Sequence, residues 1–563
     1  MNESLGHRDE TGTHTTTWVP DLLYAGGRFR RDTALVCDNS TGRVLLLLPT
    51  RDLRELSGGE LPEGEIVNVA EPDSGVIFAT RFVRLRGRAL LPGMVNAHSH
   101  AFQRVIRGRT EMRSSASSDS FWTWREMMYS AAARLTPEDI YDASRMAFTE
   151  MLLSGITTVG EFHYLHRTPE GELYEDANLL AKQVCAAARD AGLRVALLRV
   201  AYARSGFRQP PNERQRRFIE PDADEFIRHA EELAEDLERE SRAGEHDNPR
   251  VNERGDASRA ANEHKDDVAG DTSAPLPSAR APLPSAWAGV APHSVRAVPV
   301  AYARAVNDFA ASRAMPVHMH VAEQPAEVEA CLAETGRTPV ALLADEGLLG
   351  PRFTGVHAVH VTAAEVASLA RARANVCACP TTERNLGDGV VPADDLFAAG
   401  VSVALGTDSH AQIDLLEDAR ELEYHLRLKH LARNVLAPAP DDATRGGAET
   451  SAGETRGGAP EASALAARLF ECATVGGARS VGATHAGELT AGRAADFFTV
   501  DLDDPSIAGA GADDLLASIV FSLSRAAVRE VAVGGRLVVE EGRHAAQSET
   551  VARFTTLQKR LWG

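Results

Sequence analysis

Four apolar stretches of this 563-residue chain each end in residues that can bind a metal ion or carry a proton. The first, LLPGMVNAHSH, ends at His98 and His100. If this stretch is a β-strand, the two side chains share a face, because alternate residues of a strand point the same way. Two imidazoles so placed can bind one metal ion from the strand end. The pair therefore indicates a metal site, although two surface histidines beside a loop would give the same pattern.

The second stretch, AMPVHMHVAEQ, carries two further histidines and a glutamate: His318, His320 and Glu323. A third imidazole with a carboxylate nearby would complete a hydrolytic zinc site and supply a proton carrier. The spacing leaves open whether His318 or His320 is the ligand. A buried strand histidine bonded to the backbone is the alternative for either.

The third and fourth stretches, FTGVHAVHVT and VSVALGTDSH, supply a histidine and an aspartate at predicted strand ends. His357 and His360 lie in the third, and the fourth leads to Asp408. An aspartate at a strand end can bind a metal ion and accept a proton from water that the metal makes acidic. Each pattern is weak alone, but their order predicts a metal-dependent hydrolase.

The elements that must position these residues alternate along the middle of the chain. SRMAFTEMLLSG precedes ITTVGEFH, and LLAKQVCAAARDAG precedes LRVALLRVAYA. Helix, glycine and buried strand in repeating order are typical of parallel βα units. A barrel and an open sheet both fit that order.

The two ends of the chain differ from the middle, because 17–90 and 484–545 contain short β-branched runs split by turns. We expect them to form one small β domain around a central unit, 91–483. Three segments have few large apolar residues: a disordered N-terminus over 1–16 and low-complexity insertions at about 240–285 and 437–462. The last residues, 546–563, are assigned to a C-terminal helix.

Charge and composition exclude several classes of function. A formal net charge of −20 argues against nonspecific binding to nucleic acid or an anionic membrane, since both require a basic surface. No apolar run approaches the ~20 residues needed to cross a bilayer, and the polar N-terminus lacks the apolar core of a signal peptide. Six scattered cysteines suit a reducing compartment. We therefore expect a cytoplasmic protein.

The ordered histidines and aspartate resemble those of the amidohydrolase superfamily. Its members carry the metal at the mouth of a (β/α)8 barrel, flanked by a small β-sandwich from both chain ends, so the resemblance implies this α/β fold. It also implies one Zn2+ per subunit, because ITTVGEFH lacks the lysine of binuclear members. The implied zinc ligands are His98, His100, His320 and Asp408.

The same resemblance places Glu323 and His357 at acid–base positions beside Asp408. His357 is preferred to His360 because it lies directly at the strand end. We expect Asp408 to pass a proton toward the leaving nitrogen with help from Glu323 or His357, and the sequence does not decide between these two.

More specific segments are similar to the formimidoylglutamate deiminase family: HSHAFQR, DSFWTWREMMY, GEFHYLH, APHSVRAV, HMHVAEQ and CPTTERNLGDG, in the same order. That family hydrolyses N-formimidoyl-L-glutamate to N-formyl-L-glutamate and ammonia in histidine degradation. Arginines suit such a dicarboxylate, since each planar guanidinium can bind a carboxylate through two hydrogen bonds. Taken without the family, solvated helix-face arginines are the more ordinary interpretation. The implied substrate contacts are Gln103, Arg125, Tyr164, His293 and Arg296.

Two other functions share the zinc ligands. A deaminase or chlorohydrolase acting on a nucleobase or a triazine would not need Arg125 and Arg296. A noncatalytic metal-binding scaffold is the alternative from another class, but no catalytic position is missing. By resemblance we expect a homodimer whose partner is a small dicarboxylate substrate, and neither nucleic acid nor a membrane.

Overall fold

The computed structural model describes residues 15–56, 66–70, 77–111, 121–246, 282–438 and 464–563. Residues 1–14, 247–281 and 439–463 lie outside the described residues, so most of the predicted N-terminal tail and of the two predicted insertions does too. The strands are β1 (Thr15–Ala25), β2 (Arg28–Arg30), β3 (Thr33–Asp38), β4 (Arg43–Pro49), β5 (Ile66–Ala70), β6 (Ile77–Pro92), β7 (Met94–Ser99), β8 (Ile156–His163), β9 (Arg194–Ala201), β10 (Ala286–Pro292), β11 (Val317–Val321), β12 (Phe353–His357), β13 (Asn375–Ala378), β14 (Ser402–Leu405), β15 (Phe497–Asp501), β16 (Val528–Val533), β17 (Arg536–Glu540) and β18 (Arg543–His544). The helices are α1 (Thr50–Leu56), α2 (Phe121–Ala132), α3 (Pro137–Leu153), α4 (Leu179–Ala191), α5 (Ala223–His246), α6 (Val300–Ser312), α7 (Pro325–Thr335), α8 (Pro339–Asp345), α9 (Ala363–Ala372), α10 (Pro380–Leu386), α11 (Ala393–Ala398), α12 (Leu415–His430), α13 (Ala464–Glu471), α14 (Gly477–Ser480), α15 (Leu515–Ser522) and α16 (Gln547–Trp562).

Eight strands, β7 to β14, pair in chain order as one parallel sheet, with helices between successive strands. The two edges of this sheet meet just beyond β14. There the amide of His100 donates to the Asp408 carbonyl at 3.1 Å, and the amide of Asp408 donates to the His98 carbonyl at 3.0 Å. This closure confirms the (β/α)8 barrel, and it excludes the open sheet that the periodicity had left possible.

A second sheet contains β1 to β6 and β15 to β18 and forms a separate β domain from both chain ends. The two parts join where β15 pairs antiparallel with β6, with Phe497 opposite Pro92. β6 leads into barrel strand β7 through Gly93 alone, where a side chain would collide with Thr157. The β domain is therefore attached directly to the strand that carries the histidine pair.

The observed elements extend into two of the segments predicted to lack regular structure. Thr15 and Thr16, assigned to the disordered N-terminus, belong to β1, where Thr16 pairs with Cys37 and Arg81. Residues 240–246, assigned to the insertion, form the end of α5. Low apolar content does not prevent an exposed helix, because ion pairs four residues apart, such as Glu238 with Arg242, stabilise it.

The C-terminal helix α16 packs against α3. Arg553 pairs with Asp142 at 2.6 Å, and the indole of Trp562 donates to the Val105 carbonyl at 3.2 Å. This second contact reaches a short 3-10 turn, 101–106, that follows β7. Across the described ranges, no helix is both long enough and apolar enough to cross a membrane.

Candidate active site

Four side chains converge at the carboxyl-terminal mouth of the barrel. His98 and His100 come from the end of β7, His320 from β11, and Asp408 lies three residues after β14. The Nε2 atom of His98 lies 3.2 Å from Nε2 of both His100 and His320. Asp408 Oδ1 lies 3.3 Å from Nε2 of His98 and 3.1 Å from Nε2 of His100. All four residues are buried, and their potential ligand atoms lie close together. We call these four side chains the metal cluster.

This cluster fits a zinc ion. The Nδ1–H of His100 donates to the Phe162 carbonyl at 2.9 Å, and that of His320 donates to the His293 carbonyl at 3.2 Å. The Nε2 atoms of these two rings therefore present lone pairs to the centre of the cluster. A tetrahedral zinc site with bonds of about 2.0–2.1 Å places its ligand atoms about 3.3 Å apart. The observed spacings match this value, and three imidazoles with one carboxylate are ligands that zinc prefers.

The charge states of the cluster also suit a metal ion, which requires neutral imidazoles and an ionised carboxylate. Burial lowers the pKa of His98 to about 3 and holds that of His320 well below its ordinary value. Burial alone would raise the pKa of Asp408, but its interactions with the His100 and His98 rings outweigh burial, and the pKa falls well below its usual range. His98 and His320 are thus neutral, and Asp408 is ionised, at neutral pH.

A second group of charges surrounds His357 at the end of β12. Its Nε2 lies 3.6 Å from Glu323 Oε1 and 3.8 Å from Asp408 Oδ2, and its Nδ1 lies 3.3 Å from Glu383 Oε1. Burial alone would lower the pKa of His357, but these carboxylates raise it well above its ordinary value. Burial, with a further contribution from Asp408, raises the pKa of Glu323. Two side chains that can hold a proton therefore lie beside the metal cluster.

Left-handed backbone conformations are concentrated at the mouth of the barrel. Such a conformation in a non-glycine residue costs of order 1–3 kcal/mol and persists where the surrounding structure enforces it. Here the strained positions lie at or within five residues after the ends of β11, β12 and β14. They are Ala322 (φ 50°), His357 (φ 71°), Ala358 (φ 51°), Asp408 (φ 44°) and His410 (φ 58°).

One pocket brings the predicted substrate contacts to the metal cluster. Arg125 comes from α2 and Arg296 from the turn after β10, and both guanidinium groups act on the hydroxyl of Tyr129. Of the implied zinc ligands, acid–base residues and substrate contacts, His98 alone does not line this pocket, and it is completely buried. The lining residues are His100, Gln103, Trp124, Arg125, Met128, Tyr129, Tyr164, Tyr202, Phe218, His293, Arg296, His320, Glu323, His357, Leu386 and Asp408.

Gln103 and Tyr164 form a polar contact on one wall of the pocket. Gln103 lies in the 3-10 turn after β7, and its Nε2 donates to the Tyr164 hydroxyl at 2.8 Å. The side-chain oxygen of Gln103 is buried without a hydrogen-bond partner among the described residues. This oxygen can accept a hydrogen bond from a ligand in the pocket.

The structure also resolves the two alternatives that spacing had left open. His318 shares a strand face with His320 but lies deeper in the barrel, where its Nε2 is 2.9 Å from the Ser480 carbonyl. His360 lies beside the pocket wall, with Nε2 2.8 Å from the Asp388 carbonyl. Neither residue reaches the metal cluster.

Two carboxylates of the site were not singled out from the sequence. Glu383 lies in the first turn of α10, where its carboxylate accepts a hydrogen bond from the amide of Cys379 at 2.8 Å. The same carboxylate contacts His357 Nδ1 and so orients that ring. The segment CPTTERNLGDG is one of those similar to the deiminase family, and its glutamate after a predicted strand end was the signal that could have identified this residue. Glu161, on the strand ITTVGEFH, accepts from the Ser99 hydroxyl at 2.5 Å and from the Ala101 amide at 2.7 Å. Burial raises the pKa of Glu161 to about 7, and its contacts fix the end of β7.

Comparison with known proteins yields matches that span the barrel and the β domain. The sequence profile described as "Amidohydrolase family" matches residues 89–538. Formimidoylglutamate deiminase of Pseudomonas aeruginosa is 36% identical over 509 residues, covering 88% of this chain and 96% of that enzyme. 8-Oxoguanine deaminase of the same organism is 27% identical over 510 residues, with 88% and 93% covered. The crystal structure of an amidohydrolase from Brucella melitensis matches with a TM-score of 0.75 and 31% identity, covering 98% of this chain and all of that one.

Proposed function

Because the chain belongs to the amidohydrolase family and is a hydrolase acting on a C–N bond, we propose that it converts N-formimidoyl-L-glutamate to N-formyl-L-glutamate and ammonia in histidine degradation. The observation that carries the proposal is the single pocket that joins the metal cluster to Arg125 and Arg296. The 36% sequence identity with formimidoylglutamate deiminase of Pseudomonas aeruginosa supports the same substrate.

The arginines suit a substrate with two carboxylates. Arg296 lies against the barrel mouth, and its Nε is buried without a hydrogen-bond partner in the described part of the chain. A buried guanidinium with an unused donor is costly unless an anion pairs with it. A neutral nucleobase could accept a hydrogen bond from that donor but would leave the positive charge without a counter-charge, whereas a carboxylate provides both. The substrate carboxylates therefore belong at the arginine end and the formimidoyl group at the metal end.

The side chains around the metal cluster can perform the proton transfers of the hydrolysis. Bound zinc would supply Lewis acidity, which activates water near neutral pH. Asp408 is ionised, and its Oδ2 faces His357, so this oxygen can take the proton of the attacking water. Glu323, with its raised pKa, can hold a proton and deliver it to the departing nitrogen. His357, held by Glu383, stabilises the negative charge that develops beside it.

One zinc ion per subunit is part of the proposal. A second group of potential ligands among the described residues consists of His357, Cys379 and Glu383. The carboxylates around its histidine raise the pKa of His357 well above the ordinary value, so a metal ion there would have to displace a proton. We also propose a cytoplasmic homodimer, which is supported by the composition and by the family resemblance.

The arginines provide the test. In Arg125→Met and Arg296→Met we expect KM for N-formimidoyl-L-glutamate to rise about 10- to 100-fold, since hydrogen bonds to charged groups contribute about 1.5–3 kcal/mol each. Arg189→Met, at an exposed ion pair with Glu240, is the matched control and should leave KM unchanged. Deamination of 8-oxoguanine by the wild-type protein, unaffected by either arginine substitution, would contradict the proposal.

A further inference from the structure

A buried glutamine holds two tyrosines at the arginine end of the pocket. Gln215 is completely buried, in a short 3-10 turn between β9 and α5. Its Nε2 donates to the Tyr129 hydroxyl at 2.7 Å and to the Tyr202 hydroxyl at 2.8 Å. Each of its two amide hydrogens is therefore bonded to one tyrosine hydroxyl. Tyr129 comes from α2 and Tyr202 from the end of β9, so the amide joins two walls of the pocket.

This arrangement determines whether the two tyrosine hydroxyls can still donate hydrogen bonds. A phenol has one hydrogen to donate, and both oxygens already act as acceptors toward Gln215. Neither hydroxyl donates to a protein acceptor within the described residues, and both tyrosines line the pocket. Burial raises the pKa of Tyr129 above its ordinary value, although Arg125 and Arg296 oppose this, so the phenol keeps its hydrogen at neutral pH.

The surroundings of the two hydroxyls favour an anion. The guanidinium carbon of Arg125 lies 5.2 Å from the centre of the Tyr129 ring, and Arg296 acts electrostatically on the same hydroxyl. The ring of His293 packs against Tyr202 with ring centres 4.5 Å apart. Two O–H donors and two guanidinium groups therefore surround one part of the pocket. The carboxylates that line the pocket, Glu323 and Asp408, are those of the metal end.

We propose that Tyr129 and Tyr202 donate hydrogen bonds to a substrate carboxylate, and that Gln215 is the positioning residue that turns both hydroxyls toward it. This inference rests on the proposed function and adds residues that distinguish a dicarboxylate from a monocarboxylate. Because the donors are fixed before the substrate arrives, binding requires little further ordering of side chains.

The test compares Tyr129→Phe, Tyr202→Phe and Gln215→Met with the wild-type protein on three substrates. These are N-formimidoyl-L-glutamate, N-formimidoyl-4-aminobutyrate, which lacks the α-carboxylate, and N-formimidoyl-L-2-aminobutyrate, which lacks the distal one. We expect each tyrosine substitution to raise KM for the glutamate compound about tenfold or more, with kcat changed less than about threefold. The effect should disappear on the compound that lacks the contacted carboxylate. Gln215→Met should show the same KM-specific pattern, which a loss of folding would not produce.

Tyr24→Phe is the matched control, because it removes a buried hydroxyl in the β domain and should leave KM unchanged. If KM of both phenylalanine variants stays within about twofold of wild type on all three substrates, the proposal is overturned. Absence of turnover by the wild-type protein would instead contradict the proposed function. Glutarate binding by calorimetry then decides the inference separately: weakening by about tenfold in both variants supports it, and no binding or equal binding overturns it.

Discussion

Replacement of Glu220 by glutamine should destabilise the barrel, because Glu220 forms a completely buried ion pair with Arg199 of β9. The two side chains are joined by hydrogen bonds of 2.5 and 2.9 Å, and His229 Nδ1 lies 2.9 Å from the same carboxylate. Glutamine would leave the Arg199 charge buried without its partner. Removing one member of such a pair costs about 3–5 kcal/mol of unfolding free energy. Because Glu220 ends the segment that carries Gln215, the pocket wall should loosen as well.

The pH dependence of this effect follows from the lowered pKa of Glu220. Burial alone would raise that pKa, but Arg199 and His166 outweigh it. A lowered folded-state pKa contributes stability that is fully present above the unfolded value of about 4.3 and is lost as the pH falls toward the folded value. The difference between wild type and Glu220→Gln should therefore be constant from about pH 6 to 8 and shrink below about pH 4.

Urea denaturation followed by circular dichroism measures the effect. Arg189→Met is the control, because Arg189 and Glu240 form an exposed pair, each side chain more than half exposed, whose loss should cost less than about 1 kcal/mol. The double variant Arg199→Met/Glu220→Leu should recover much of the loss, since no unpaired charge remains buried. A Glu220→Gln protein within about 1 kcal/mol of wild type at pH 7 would refute the reasoning.

Three further predictions concern the metal, the acid–base group and the assembly. His320→Asn removes one of four ligands, so the dialysed protein should retain much less than one zinc per chain by atomic absorption; full retention would contradict the assigned ligand set. Glu383→Gln removes the anion that orients His357 and should lower kcat about 10- to 100-fold with little change in KM; an unchanged kcat would exclude this role. Light scattering should give a mass of about twice the 60.4 kDa of one chain, and a monomer would contradict the proposed homodimer.

The fold was predictable to the level of parallel βα units with a terminal β domain. Helices and buried strands alternate clearly in the sequence, and that pattern requires a parallel sheet. Closure of the sheet was not visible, since strands of a barrel and of an open α/β sheet have the same composition. Closure depends on backbone hydrogen bonds of Asp408 with His98 and His100, which lie 310 and 308 residues away in the chain, and only the family resemblance had pointed to it. That resemblance is confirmed.

The site was predictable where each residue ends its own strand, and less so where two distant segments must meet. His318 and His320 share a strand face, so the pattern alone cannot separate them. Only their depth in the barrel distinguishes the candidate ligand His320 from His318, whose ring contacts the Ser480 carbonyl. Glu383 follows β13 and contacts His357 at the end of the neighbouring strand β12, and no spacing in the sequence predicts that contact. Gln215 lies in an irregular turn, where periodicity carries no information about the direction of a side chain.

The most direct test of the central claim is ammonia release by the zinc-loaded protein from N-formimidoyl-L-glutamate, measured beside 8-oxoguanine and with Asp408→Asn as the control. The account predicts turnover of the glutamate compound that is lost in Asp408→Asn, and no turnover of 8-oxoguanine. Turnover of 8-oxoguanine without turnover of N-formimidoyl-L-glutamate would contradict it, because a pocket lined by Arg125 and Arg296 would then serve a substrate that lacks carboxylates.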